Sequence, residues 1–190
     1  MNFLNNLKTN VKLIGSFLII AIITAVVGVV GIYYIKQIDA ADTKLYENQT
    51  VPLAQLGDMS TTFQRIRVNV RDTILAQTPE EGQKYVGTIK TLTTDLDKSQ
   101  GEYQKLIVSK EMQDLFDGYV KARQEYVPLR DQIIALALAG KDAEAVTLMR
   151  GDAFASAKAV ESGIDAMQAM KVEQAKATSD ANTVLANQAT

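Results

Sequence analysis

The sequence predicts an all-α fold: an antiparallel, up-down-up-down four-helix bundle whose first helix continues from an N-terminal transmembrane helix. Three observations predict it. Leu13 to Ile35 form 23 consecutive residues without a charge. Downstream, apolar residues recur at three- and four-residue steps, and alternation of the strand type never lasts more than a few residues. Glycine is modest at 11 and proline scarce at 3, while Ala, Leu, Lys, Glu and Gln are plentiful, a composition that favours long helices.

The uncharged run comes first. At about 1.5 Å of rise per residue it crosses the roughly 30 Å hydrocarbon core of a bilayer with some tilt. A single Lys or Asp at its centre would cost about 2.5–3.5 kcal/mol, so the absence of charge carries weight. Lys8, Lys12 and the initiator amine precede it, whereas Lys36 and Lys44 after it are mixed with Asp39, Asp42 and Glu47. This asymmetry places the N-terminus inside and the chain after the run outside. Tyr33 and Tyr34 fall at the outer interface, where amphipathic rings are favoured. A cleavable signal peptide would have an apolar core of about 7–15 residues and a small-x-small cleavage site. The run is longer, and Ile38-Asp39-Ala40 lacks the first small residue, so an uncleaved anchor is expected. Ala21 and Ala25 form a small-xxx-small pair through which a second copy could approach. The expected organisation is a cytoplasmic segment 1–12, a transmembrane helix 13–35 and an extracytoplasmic bundle 36–190.

In the bundle, Leu56, Met59, Phe63, Ile66 and Val70 step by 3, 4, 3 and 4, and Ile74 continues the stripe to a helix end near Gln77. Pro52 interrupts this helix and predicts a kink close to the membrane. Thr78-Pro79-Glu80-Glu81 reads as a capping box with proline at the first helical position. The second helix then places Tyr85, Ile89, Leu92, Leu96, Tyr103 and Leu106 on one face. Ser109 is the expected N-cap of the third, with Leu115, Tyr119, Tyr126, Leu129, Ile133 and Leu136 inward and Pro128 as a kink. Gly140 suits a C-cap and Asp142 the next N-cap. The fourth helix carries Val146, Met149, Ala153, Ala157, Val160, Ile164 and Met167; its alanines let neighbours pack close. It must return toward the membrane, and its end, Lys176 to Thr190, is polar without a second apolar run. The chain is therefore expected either to stop outside or to be cut before a second transmembrane helix.

Composition excludes several function classes. Cysteine and histidine are both zero, which removes disulfides, covalent haem attachment, Cys/His zinc sites and Cys–His or Ser–His catalysis. The net charge of −2 gives no basic field for nucleic acid. No phosphate-binding glycine loop, zincin motif or nucleophile elbow is present. Glu80 and Glu81 sit at a helix start, where capping explains them. Neither an enzyme nor a cofactor is expected.

Lys12-Leu13-Ile14-Gly15-Ser16-Phe17 opens the anchor, Leu45-Tyr46-Glu47-Asn48 and Pro52-Leu53 follow it, and arginines stud Phe63 to Leu75. Ala139-Gly140-Lys141-Asp142 precedes Ala145. In these features the chain resembles the N-terminal part of a methyl-accepting chemotaxis protein with a four-helix-bundle ligand-binding domain. The same sensory domain also precedes histidine kinases and nucleotide cyclases. The resemblance implies a homodimer with the first helices of two subunits packed together, and small ligands bound between helices outside the plasma membrane. It further implies a second membrane helix leading to a cytoplasmic output, which is absent from this chain.

Arg65, Arg67 and Arg71 cluster on the first helix; Arg67 and Arg71 are four apart and share a face. Guanidinium forks match carboxylates, and in sensors of the kind resembled, arginines of this helix hold carboxylate ligands. The same residues also suit a solvated face with local ion pairs, for example to Asp72 or Glu125. Arg123 lies between Tyr119 and Tyr126 as a further anion contact, and Tyr119, Tyr126 and Phe154 are either pocket lining for an aromatic acid or core. Met167 and Met170 read as gap-filling packing. The ligand-site candidates are thus Arg67, Arg71, Arg65, Arg123 and Tyr126. The expected partners are a carboxylate-bearing small molecule or a periplasmic binding protein, a second copy of the chain, and membrane lipid. Docking of such a protein, without any small ligand, is the competing function.

Overall fold

The computed structural model describes residues 8–188, and every secondary-structure element among them is helical. In chain order these are α1 (Thr9–Leu45), a π-helical turn (Tyr46–Thr50), α2 (Val51–Leu75), α3 (Pro79–Gln104), α4 (Lys110–Leu138), α5 (Asp142–Arg150) and α6 (Asp152–Gln188). The chain divides into two compact units, Tyr46–Lys176 and the flanking stretches up to Leu45 and from Ala177.

In the flanking unit, α1 contains no buried residue. Most of its large side chains are exposed, Phe17, Ile22, Val27 and Ile32 each by more than half. A helix so apolar with no protein cover is suited to lipid, and it is long enough to cross a bilayer.

The unit Tyr46–Lys176 is the four-helix bundle, with α5 and the first part of α6 together as its fourth rod. The predicted stripe of α2 is buried throughout: Leu56, Met59, Phe63, Ile66, Val70 and Ile74. Facing it are Ile89, Leu92, Leu96 and Tyr103 of α3, and Met112, Phe116, Tyr119, Ala122, Tyr126 and Ile133 of α4. Ala153, Ala157, Val160, Ile164 and Met167 of α6 close the core. Each fully buried aliphatic or aromatic side chain of this set contributes about 1.5–3 kcal/mol relative to exposure. Aromatic rings stack through the interior: Tyr103–Phe116 and Phe116–Tyr119 at 6.1 Å, and Phe63–Tyr126 edge-on at 5.2 Å.

The caps explain where the helices stop. Thr78 accepts the Glu81 N–H at 3.2 Å, and the Glu81 carboxylate reaches back to the Gln77 N–H at 2.8 Å. Ser109 accepts the Met112 N–H at 3.2 Å. Gly140 takes a φ of 70°, and the Lys141 N–H returns to the Leu136 carbonyl at 2.9 Å, closing α4 as a left-handed glycine cap does.

Four local expectations are corrected. The first helix ends at Leu75 rather than Gln77. Asp142 is not an N-cap: Lys141 holds that position and Asp142 lies in the first turn of α5, where its charge suits the helix dipole. The fourth rod is two helices broken at Gly151; on α5 Ala145 is fully buried, while Val146 and Met149 are half-buried and pack against the core. Leu106 falls beyond α3, in the turn. Just after α1, the chain answers Pro52 with the π-helical turn before it.

Candidate functional site

A cavity of about 310 Å³ opens between α2, α4 and the α5–α6 junction. Arg67 and Arg71 reach it from α2 because each sits one residue, about 100°, round the helix from the buried Ile66 and Val70. Tyr126 and Ile133, two turns apart on α4, supply its inner wall. Arg150 and Phe154 come from either side of the Gly151 break. A Cβ at Gly151 would stand 3.2 Å from the Thr147 carbonyl oxygen, so the tight passage from α5 to α6 requires a small residue there. Ala153 and Ala157 face the space where larger side chains would fill it.

The cavity is cationic on balance. Arg67 pairs with Glu161 of α6, which also accepts the Gln64 amide. Arg71 pairs with its neighbour Asp72 at 3.1 Å, a half-exposed contact worth little by itself. Arg150 has no carboxylate partner among the described residues, and it ends α5, where helix carbonyls favour a cation. Burial pushes Tyr126 up to about 12, against the opposing pull of Arg67 and Arg130, so its hydroxyl stays protonated and can donate. The edge-on ring of Phe63 holds Tyr126 in place. Phe154 is exposed at the rim, and with Met149 it gives the cavity an apolar side. Such a set can take a compact anion with an apolar or aromatic body: three guanidinium forks, a phenolic donor and ring surface within one space.

Of the five residues singled out from the sequence, the structure brings Arg67, Arg71 and Tyr126 to this cavity and leaves two elsewhere. Arg65 is exposed and does not line it. Arg123 is buried on the α3 side of α4, bonded to Asp97 and, at 2.7 Å, to the Gln100 amide oxygen. Tyr119 is core, its hydroxyl beside the Arg123 guanidinium without completing a hydrogen bond. Of the two carboxylates named for local ion pairs with this arginine cluster, Asp72 pairs with Arg71. Arg150, Gln64 and Glu161 were not foreseen. An arginine placed directly before a glycine within a helical stretch was the available signal for Arg150.

Among the described residues no group of three Asp or Glu side chains is arranged to hold a metal ion. Compared with known families, residues 6–186 match the family described as a four helix bundle sensory module for signal transduction. No curated protein matches the chain.

Proposed function

Because the chain belongs to the four-helix-bundle sensory modules for signal transduction, we propose that it is the extracytoplasmic input module of a transmembrane chemotaxis-type receptor. Its ligand is a small organic acid or amino acid. The single observation that carries this reading is the excess of guanidinium over carboxylate in the α2/α4/α5–α6 cavity, with Arg150, which has no carboxylate partner among the described residues, lining it together with Tyr126 and Phe154. The family is a sensory signalling module, not a catalytic domain.

In this reading α1 anchors the chain in the plasma membrane with its N-terminus cytoplasmic, and the bundle stands in the periplasm or outside the cell. Residues 13–35 cross the bilayer and two copies associate. The ligand acts by binding one arrangement of the helices better than another; about 1–3 kcal/mol of such coupling is enough to signal. A cytoplasmic kinase-linked or cyclase output would receive the displacement.

The test is a thermal-shift screen of the chain in detergent micelles against dicarboxylates, amino acids and aromatic acids. A true ligand raises the midpoint in proportion to ln(1 + [L]/Kd), about 2.7 kcal/mol at a hundredfold excess over Kd. The shift should shrink in Arg150→Ala and Arg67→Ala and persist in Arg65→Ala. A shift that Arg150→Ala and Arg67→Ala leave untouched would remove this cavity from the function.

One observation favours a second reading, docking of a periplasmic binding protein. A shallow groove of about 590 Å³ runs between α4 and α5 with Leu136 and Leu148 in its walls. Absence of any small-molecule shift, together with loss of partner binding in Leu148→Asp, would favour it.

A further inference from the structure

Lys171 occupies a core position. Ile164, Met167 and Lys171 step by 3 and 4 along α6, and Lys171 is only 3% exposed, yet it carries an ammonium where the stripe calls for an apolar residue. A buried ammonium is costly unless something meets it, and burial pushes this one down from its usual range. No carboxylate pairs with it among the described residues; its Nζ donates instead to the Asn48 carbonyl at 2.8 Å.

The α-helical register explains why the Asn48 carbonyl is open to such a donor. In an α-helix it would accept from the residue four positions on, which here is Pro52, and proline has no N–H. The chain passes this defect as the π-helical turn Tyr46–Thr50, and Pro52 itself is buried. The side-chain oxygens of Gln49 and Gln55 are also buried without a partner. Apolar packing, which holds the rest of the bundle, is thus replaced at this end by polar groups, and their order depends on few bonds.

We propose that Lys171 and Pro52 form a latch: the Lys171 ammonium holds the Tyr46–Thr50 turn closed by occupying the carbonyl that Pro52 leaves bare. When α6 shifts and withdraws the ammonium, the turn opens. The bond joins the bundle's first and last helices, so it converts a displacement of α6 into order or disorder at the start of the bundle, a two-state element of the kind coupling requires. It does not depend on the identity of any ligand.

The test is hydrogen–deuterium exchange on the full chain in lipid nanodiscs. Lys171→Met keeps the side chain's length and removes the donor. It should speed exchange across residues 46–55 by about tenfold or more, while the buried stretches around Leu96 and Tyr119 keep wild-type rates. In a Pro52→Ala background, where the backbone supplies the missing N–H, the same substitution should change those rates by less than about threefold. Unchanged exchange in Lys171→Met, or equal acceleration in both backgrounds, would reduce Lys171 to ordinary packing. Should Lys171→Met loosen the whole bundle, lysine acylation of unmodified Lys171 decides. Pro52→Ala should raise its reactivity by about tenfold, since the amine loses its acceptor and turns to solvent, and equal reactivity would overturn the latch.

Discussion

Gly163 lets α6 approach α4 closely at Tyr119. A Cβ built there would stand 3.0 Å from the Tyr119 Cβ and 3.1 Å from its Cα, and backbone cannot yield as a side-chain tip can. Gly163→Ala should therefore strain the contact by about 1–3 kcal/mol. Better helix propensity returns about 1 kcal/mol, which leaves a net loss of up to about 2 kcal/mol. Gly118, beside Tyr119 in sequence, faces open space, so Gly118→Ala should gain up to about 1 kcal/mol from the same propensity. Urea midpoints of the two variants should move in opposite directions. The Tyr119 hydroxyl, buried without a hydrogen bond, is a related case. An unsatisfied buried polar group costs about 1–3 kcal/mol, so Tyr119→Phe should leave stability unchanged or raise it, despite the full burial of the ring.

At the scale of elements, the helix ends were chemically explicit. Thr78 was legible as an N-cap because threonine, proline and glutamate stood in the order that satisfies orphan N–H groups, and the Thr78–Glu81 bond is formed. Thr78→Ala should lower the thermal midpoint by the equivalent of about 1 kcal/mol, and Thr78→Asp should preserve it. The stripes of α2 and α3 were legible for a similar reason, since leucine, isoleucine and phenylalanine mark a buried face by bulk alone. The fourth rod was harder. Its inward positions are largely alanine, which is equally at home on a surface, so the pattern could not separate Ala145 from Val146, nor reveal the break at Gly151. On α4, Phe116 was passed over for Leu115 because adjacent bulky residues leave the phase of the stripe ambiguous. The cavity suffered most from this. Arg67 and Arg71 were found because they share one helix, whereas Arg150 and Glu161 join them only through the packing of the fourth rod against the first. Spacing along a chain does not encode that register.

For the whole molecule, the consequence of an aromatic interior is a dependence of stability on alkaline pH. Burial pushes Tyr103, Tyr119 and Tyr126 up from 10.0 to about 12. Below pH 10 these phenols are neutral in both folded and unfolded chains, and their contribution is fully present. Between pH 10 and 12 the unfolded chain releases their protons while the folded bundle retains them. The unfolded state then binds fewer protons, so stability falls as pH rises through this window. A two-unit shift corresponds to roughly 2–3 kcal/mol per tyrosine once the upper limit is passed. Lys171 acts in the opposite sense: its lowered pKa places a penalty on the folded state at neutral pH that is relieved as pH climbs toward 10.5. The net loss should therefore set in only above about pH 10 and steepen toward 12. Denaturant midpoints at stepped pH values would trace it. Tyr103→Phe, which gives up only the hydroxyl contact to the Met112 sulfur, should remove about a third of the alkaline slope while leaving the neutral-pH midpoint nearly in place. A slope identical to wild type in that variant would mean that the bundle opens at high pH before its core phenols titrate, and that the polar end around Lys171, not the aromatic interior, limits its stability there.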